Sequence, residues 1–385
     1  MSQQDPWDKE FLLPFLQEAD PLADETMSLI IEKKGPEEAR RIFNLLIGNI
    51  DMPIDQLPPE IQPYLCETHA LPAWADKAAI AEAHRFFREE GPKALFLLYF
   101  KSLPLLYCIA KGAPVLVRTS RLTNRDQSLH IFARRIGETG QFMMDVMGEG
   151  SLEPGRRGIA SIQKIRLIHA SIRFFVKMQG WDLEKLGQPI NQLHQAITLT
   201  TFSAAVLDGM AQFGLEVPDS QRQAYQHAWS AIGHNLGIAK PLLPESAEAG
   251  TALLNRIMQL EAGPSEDGKL LAQALVDFAQ NGIKVKLLDA APASLIRFLV
   301  GDQHAKMLGL NQDGCLSRIL PQVLLRQFKL VERFEDKLRG RHLGEVLDLF
   351  SEEVARGLVR HFEDFKGKPF RLPDGVGERW QLTVS

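Results

Sequence analysis

The stretch RLIHASIRFF (166–175) decides how the rest of the chain is read. Residues three and four apart share a helix face, so as a helix this segment stacks Arg166, His169 and Arg173 in one column. At about 100° per residue, Ile162 and Val176 extend that column, and Ile165 and Ile172 flank it. An imidazole on the border between an apolar strip and a cationic strip has two readings. It is either a core-edge histidine donating to a backbone carbonyl, or a metal ligand facing a flat, apolar, anionic cofactor.

The surrounding chain narrows the choice. Its 385 residues can bury a large core, and 45% hydrophobic with 24% charged content is the balance of an ordinary globular protein. With 44 Lys and Arg against 48 Asp and Glu, no global positive field recruits nucleic acid. Cys66, Cys108 and Cys315 are far apart, with no CxxC and no CxxCH, which points to a reducing, cytoplasmic setting. The start, MSQQDPWDKEFLLPF, lacks the basic-then-apolar pattern of a secretory signal. The greasiest run, ALFLLYFKSLPLLYCIA (94–110), is interrupted by Lys101, Ser102 and Pro104 and falls short of the roughly 20 apolar residues that span a bilayer. It reads as a buried helix broken at Pro104, with a hairpin touching a membrane periphery as the other reading.

Period-3.6 patterning dominates and no alternating strand stands out, so the fold class expected is all-α, one large helical unit. Helices are expected at 9–32, 35–50, 72–90 (ending in EEGP), 124–148, 159–180, 191–214 and 220–236. Others follow from 246, at 269–281, 292–300, 302–308, 315–337 and 343–364. DMPIDQLPPEIQP (51–63) is too rich in proline to be one helix, and SLEPGRRG (151–158) is a turn. The chain divides into N-terminal helices and a Pro-rich connector (1–65), a core (66–312), and C-terminal helices with an extended tail packed on it (313–385). The loops at 240–268 are the one seam in the core.

Missing motifs narrow the chemistry. There is no GxxxxGK[ST], no GxGxxG between strand and helix, no GxSxG and no HExxH. A di-iron bundle wants Glu-x-x-His, whereas Glu67–His69 and Glu82–His84 have i, i+2 spacing and diverge on a helix. Zinc-ligand spacing is missing too. An all-α chain with lone histidines in apolar helices leaves haem, which needs one axial side chain, a dry slot and cations for its carboxylates.

RLIHASIRFF matches the Arg-x-x-His-Ala-x-x-Arg pattern of the latex-clearing rubber oxygenases and the oxygenase of mycophenolic acid biosynthesis. RLTNRDQSLHIFARRIGETGQFM (121–143) resembles that family's distal helix, with its Arg-x-x-x-Thr element at Arg135 and Thr139. GQPINQLHQAITLTTFSAAVLDGMAQFG (187–214), AYQHAWSAIGHNLGI (224–238) and SLIRFLVGDQHAKMLGLN (294–311) resemble three later elements. All five occur in order over about 85–312. The resemblance implies a globin-like helical core holding non-covalent haem b, with His169 as proximal iron ligand. Arg166 and Arg173 would hold the haem carboxylates or brace the helix. Arg135, Glu138, Thr139, Phe142 and Val146 share one face of the distal helix by the same angular count. Where the rubber oxygenases carry a lysine that can reach the iron, this chain has Glu138. That removes a ligand and supplies an acid able to act as base or proton shuttle if buried.

Bland alternatives stand beside these roles. Arg166 and Arg173 read equally as a solvated edge, Arg135 as a surface arginine beside Arg134, and Thr139 as a helix threonine bonding back to a carbonyl. His130, His194 and His84 read as structural. His227 and His234, a heptad apart near Trp229, are candidates for a second metal. Phe174, Phe175, Phe202 and Met210 read as packing or as slot lining. Two functions follow. The first is a haem-dependent oxygenase acting with dioxygen on an apolar, unsaturated, isoprenoid- or lipid-like substrate. The second is a non-catalytic haem or apolar-ligand protein, a sensor or carrier.

Overall fold

The computed structural model describes residues 6–49, 51–122, 128–282 and 291–310. The expected helices at 315–337 and 343–364, the tail and Cys315 lie outside the described residues, as does the side chain of His130. Among the described residues there is no strand, only an isolated antiparallel bridge between Ile109 and Ala262.

The first two long helices are headed by proline, α1 (Pro21–Lys34) and α2 (Pro36–Gly48). The single helix expected over 9–32 is instead three pieces. A short helix Lys9–Leu12 and a 3₁₀ turn Leu13–Leu16 precede α1. Pro14 withdraws a backbone donor, and Asp20 stays extended to cap α1 by accepting the Ala23 N–H.

α3 (Lys77–Leu97) starts where Asp76 caps the Ala78 and Ala79 N–H groups. It does not end at EEGP. It continues through Pro92 into a π-turn, Leu98–Ser102, and a last helical piece, Leu103–Tyr107. The wider turn sits where Pro104 removes the donor that the Phe100 carbonyl would otherwise receive. Burial of Phe86, Phe87, Phe96 and Phe100 offsets the lost bonds. This apolar run is therefore core, and no helix among the described residues is long and apolar enough to cross a membrane.

α4 (Ala113–Leu122) was not expected at all, although Pro114 in its first turn is a start signal. α5 (Ser128–Met147) and α6 (Arg157–Met178) form a hairpin around the expected 151–158 turn. The long helix expected over 191–214 is two, α7 (Gln192–Phe202) and α8 (Ala204–Gln212), parted at Ser203 with φ −102° and ψ −81°. Thr200, Thr201 and Ser203 all bond back to carbonyls three or four residues earlier, which bends helices. α9 (Asp219–Asn235), α10 (Ala247–Glu261), α11 (Glu266–Gly282) and α12 (Ala291–Met307, kinked at Gly301) follow, and short helical turns at Gln62–Glu67 and Leu183–Leu186 lie between the longer helices.

α3 lies along α9, and α7 packs between α10, α8 and α9. The 240–268 loops are tied down rather than free. Trp7 donates to the Pro241 carbonyl at 3.0 Å, and Gly263 N–H to the Cys108 carbonyl at 2.9 Å. The apolar interior has a large cluster and a second one made by α1, α2 and residues 52–65. α6 belongs to both: Ile162 enters the first, and Leu167, Ala170 and Phe175 enter the second, while Val176 joins a small third cluster with Val115 and Trp181. On its other sides α6 meets α5, α4 and α9.

Candidate functional site

Ser161 on α6 donates to Asp145 on α5 at 2.5 Å, and Gln141 holds the other oxygen of that carboxylate at 2.8 Å. Burial pushes the Asp145 carboxyl above its ordinary range, with the Ser161 and Gln141 bonds pulling it back. This contact fixes the register of the hairpin. Eight residues onward on α6 is His169 and eight residues back on α5 is Gly137, each about 12 Å from the contact at the helical rise. The two motif helices thus bring His169 to the height of Arg135, Glu138 and Thr139.

His169 is half-buried, and its Nδ1 is sealed from solvent with no hydrogen-bond partner. Burial, reinforced by the Arg173 charge and opposed by Asp20, pulls its pKa down to about 4. The ring is therefore neutral near pH 7, the form that ligates a metal.

The two arginines of the column part company. Arg166 is fully committed: Nε and Nη2 reach the Asp20 carboxylate at 2.6 and 2.7 Å, and Nη1 donates to the Asn235 carbonyl at 3.1 Å. Burial works against its charge, but Asp20 and the nearby Tyr64 keep its pKa raised. Arg173, 1% exposed, gives only Nε to Asp24 at 2.7 Å. Its Nη1 and Nη2 are buried with no partner. Orphaned buried donors of a charged group are costly and rare, so these two nitrogens mark where an acidic group would be received.

On α5, Arg135 is half-buried and donates to the Leu116 carbonyl and, at 2.5 Å, to the Thr119 hydroxyl of α4. Burial lowers its pKa, while Tyr107 and Glu138 raise it. Thr139 donates back to the Arg135 carbonyl at 2.8 Å, Phe142 is half-buried against the large cluster, and Glu138 is exposed.

The remaining candidates fall into the framework. Phe175 packs edge-on against Phe43, Phe202 against Trp229, and Met210 is in the core. Asn191 caps the His194 N–H at 2.9 Å and sets its side-chain amide 3.2 Å from the ring Nδ1, while the other ring nitrogen faces Glu261 at 3.6 Å. His227 accepts the Asp76 N–H at 2.8 Å, and both it and His234 abut Trp74. No group of three or more metal-ligating side chains exists among the described residues. Sequence reading missed Asp20, Asp24, Thr119 and Asp145. For Asp20 the available signal was its place before Pro21, a helix-start signature.

A haem would meet chemistry suited to it here: a neutral imidazole, two unpartnered guanidinium nitrogens one turn further on, and the apolar Ile165 and Ile172 beside them. The donors fit a flat apolar group carrying carboxylates and one metal.

Comparison with known proteins agrees in kind. The family described as "ER-bound oxygenase mpaB/B'/Rubber oxygenase, catalytic domain" matches residues 107–347. A rubber oxygenase of Streptomyces sp. (strain K30) is 23% identical over 307 residues, covering 77% of this chain and 72% of that protein. The structure of latex clearing protein in its closed state superposes with a TM-score of 0.70 at 20% identity, covering 89% of this chain and 91% of the other. At that identity the likeness is one of fold.

Proposed function

The chain belongs to the mpaB/rubber oxygenase catalytic-domain family and is an oxygenase, and from that premise we propose that it works with non-covalent haem b held by His169. The observation that carries this reading is the sealed, partnerless pair formed by the His169 Nδ1 edge and the free end of Arg173 on one helix face. Haem, when bound, would supply the activation of dioxygen, which protein side chains cannot.

The side chains supply the rest. His169 offers a neutral nitrogen and Arg173 receives a carboxylate, while Arg166 braces α6 through Asp20. Arg135 and Thr139 stand level with His169 on the opposing helix. There the fixed positive charge of Arg135, locked by Leu116 and Thr119, would favour negative charge on dioxygen. Glu138, exposed at the edge of this face, exchanges protons with water. Phe142 and the neighbouring isoleucines keep the interval dry and select an apolar, unsaturated, isoprenoid- or lipid-like substrate. A reducing, cytoplasmic setting fits the two described cysteines, both free.

The test is an absorption spectrum of freshly purified protein, with and without dithionite, on wild type and His169→Ala. A Soret band in wild type and its loss in the variant, with helical ellipticity unchanged, is the expected pair. Full haem retention by His169→Ala would overturn the assignment.

A further inference from the structure

The acids that hold the two arginines beside His169 come from a helix remote in sequence. Asp20, 1% exposed, takes Arg166 through both carboxylate oxygens and caps α1 with the same side chain. One turn on, Asp24 takes the Arg173 Nε. Acids four apart on α1 thus meet arginines seven apart on α6, and His169 lies between the two pairs. The backbone after α9 closes over the first pair. At Gly237, with φ +85°, a Cβ would sit 2.6 Å from Asp20 Oδ2 and 2.8 Å from Arg166 Nε. Residues 20 and 24 both precede residue 107, where the family match begins.

We propose that Asp20 and Asp24 are positioning residues of the oxygenase, fixing Arg166 and Arg173 on either side of His169 and so setting the pose of the imidazole. Asp24 matters most for what it leaves undone. By engaging Nε alone it holds the guanidinium while Nη1 and Nη2 stay available to a second acidic group. Both carboxylates also place negative charge next to an otherwise cationic strip. The inference rests on His169 being the haem ligand, as proposed above.

Asp20→Asn would strip the counter-charge from a buried guanidinium and endanger folding, so Asp24→Asn carries the test. The Asp24 side chain is 28% exposed, and Asp24→Glu is the conservative rescue. Three readouts are taken: haem transfer rate to an excess of a haem-scavenging protein, the reduction potential of the loaded protein, and amide exchange across 166–173 in cofactor-free protein. Asp24 acts on His169 only through Arg173, so its effect is expected at the low end of the roughly 10- to 100-fold change in metal affinity that direct partners of a ligand histidine produce. Asp24→Asn is therefore expected to release haem about tenfold faster, with a more positive potential and faster exchange at unchanged ellipticity. Asp24→Glu is expected to recover most of the loss. Wild-type release rate and potential in Asp24→Asn would overturn the proposal, as would a parallel collapse of ellipticity and haem content. Haem retention by His169→Ala fails the ligand assignment itself and is read separately.

Discussion

At the scale of single residues, position on a face was legible and what covers that face was not. The periodicity that stacks Arg166, His169 and Arg173 needs only local sequence. The partner of Arg166 is 146 residues away, and nothing local announces it. Glu138 shares its angular sector with Arg135 and Thr139 yet is exposed, because a helical count gives direction about an axis and not the neighbour lying there. Arg135 carries the most weight in the proposed function: replacing it by Ala is expected to lower kcat about 10²-fold, with KM for an unsaturated isoprenoid little changed, as measured by oxygen uptake. Acid sensitivity has a second source besides His169. His84, 4% exposed, is held down at about 4 by burial, against a bond to the Val146 backbone and the Glu149 charge. Its ordinary value is 6.5, so between these values the unfolded chain binds the proton and the folded one does not. Stability is then full above pH 6.5 and falls as pH drops toward 4, by about 1–3 kcal/mol. Melting temperatures across that window should show a smaller decline in His84→Gln.

Among elements, starts were easier to read than stops. Asp20, Asp76, Asn191 and Ser246 each cap a helix with a side-chain oxygen, a short-range signal. Ends failed where burial outweighed a local breaker. Pro92 sits inside α3 and Pro104 is bypassed by a π-turn, since aromatic side chains on both sides gain more from staying in line. The reverse error came at Ser203, where an unbroken apolar pattern hid three hydroxyls competing for carbonyls. Connections also carry constraints: Gly237→Ala forces a left-handed backbone and a clash with the Asp20–Arg166 pair. A loss of about 2 kcal/mol or more is expected in urea midpoints, and Asn235→Ala, which keeps the carbonyl that Arg166 uses, serves as a control of smaller effect.

For the whole molecule, all-α architecture followed from the uniform period, but the separation of smaller apolar clusters from the large one did not, because the second is assembled from 23–65 and a helix a hundred residues later. Phe43, 5% exposed and edge-on to Phe175, is a keystone of that second cluster. Phe43→Ala is expected to cost about 3–5 kcal/mol and, with haem held as proposed, to let its absorbance decay at a lower temperature than far-ultraviolet ellipticity, a separation that parallel melts in both signals would reveal or refute. The wider meaning lies in how α6 is shared. A beam resting on separate walls falls when a main one gives way, and of the two main walls here the one nearer the amino terminus is the smaller. Stabilising substitutions placed there, rather than in the bulk of the bundle, are the ones that would extend the working life of the catalyst.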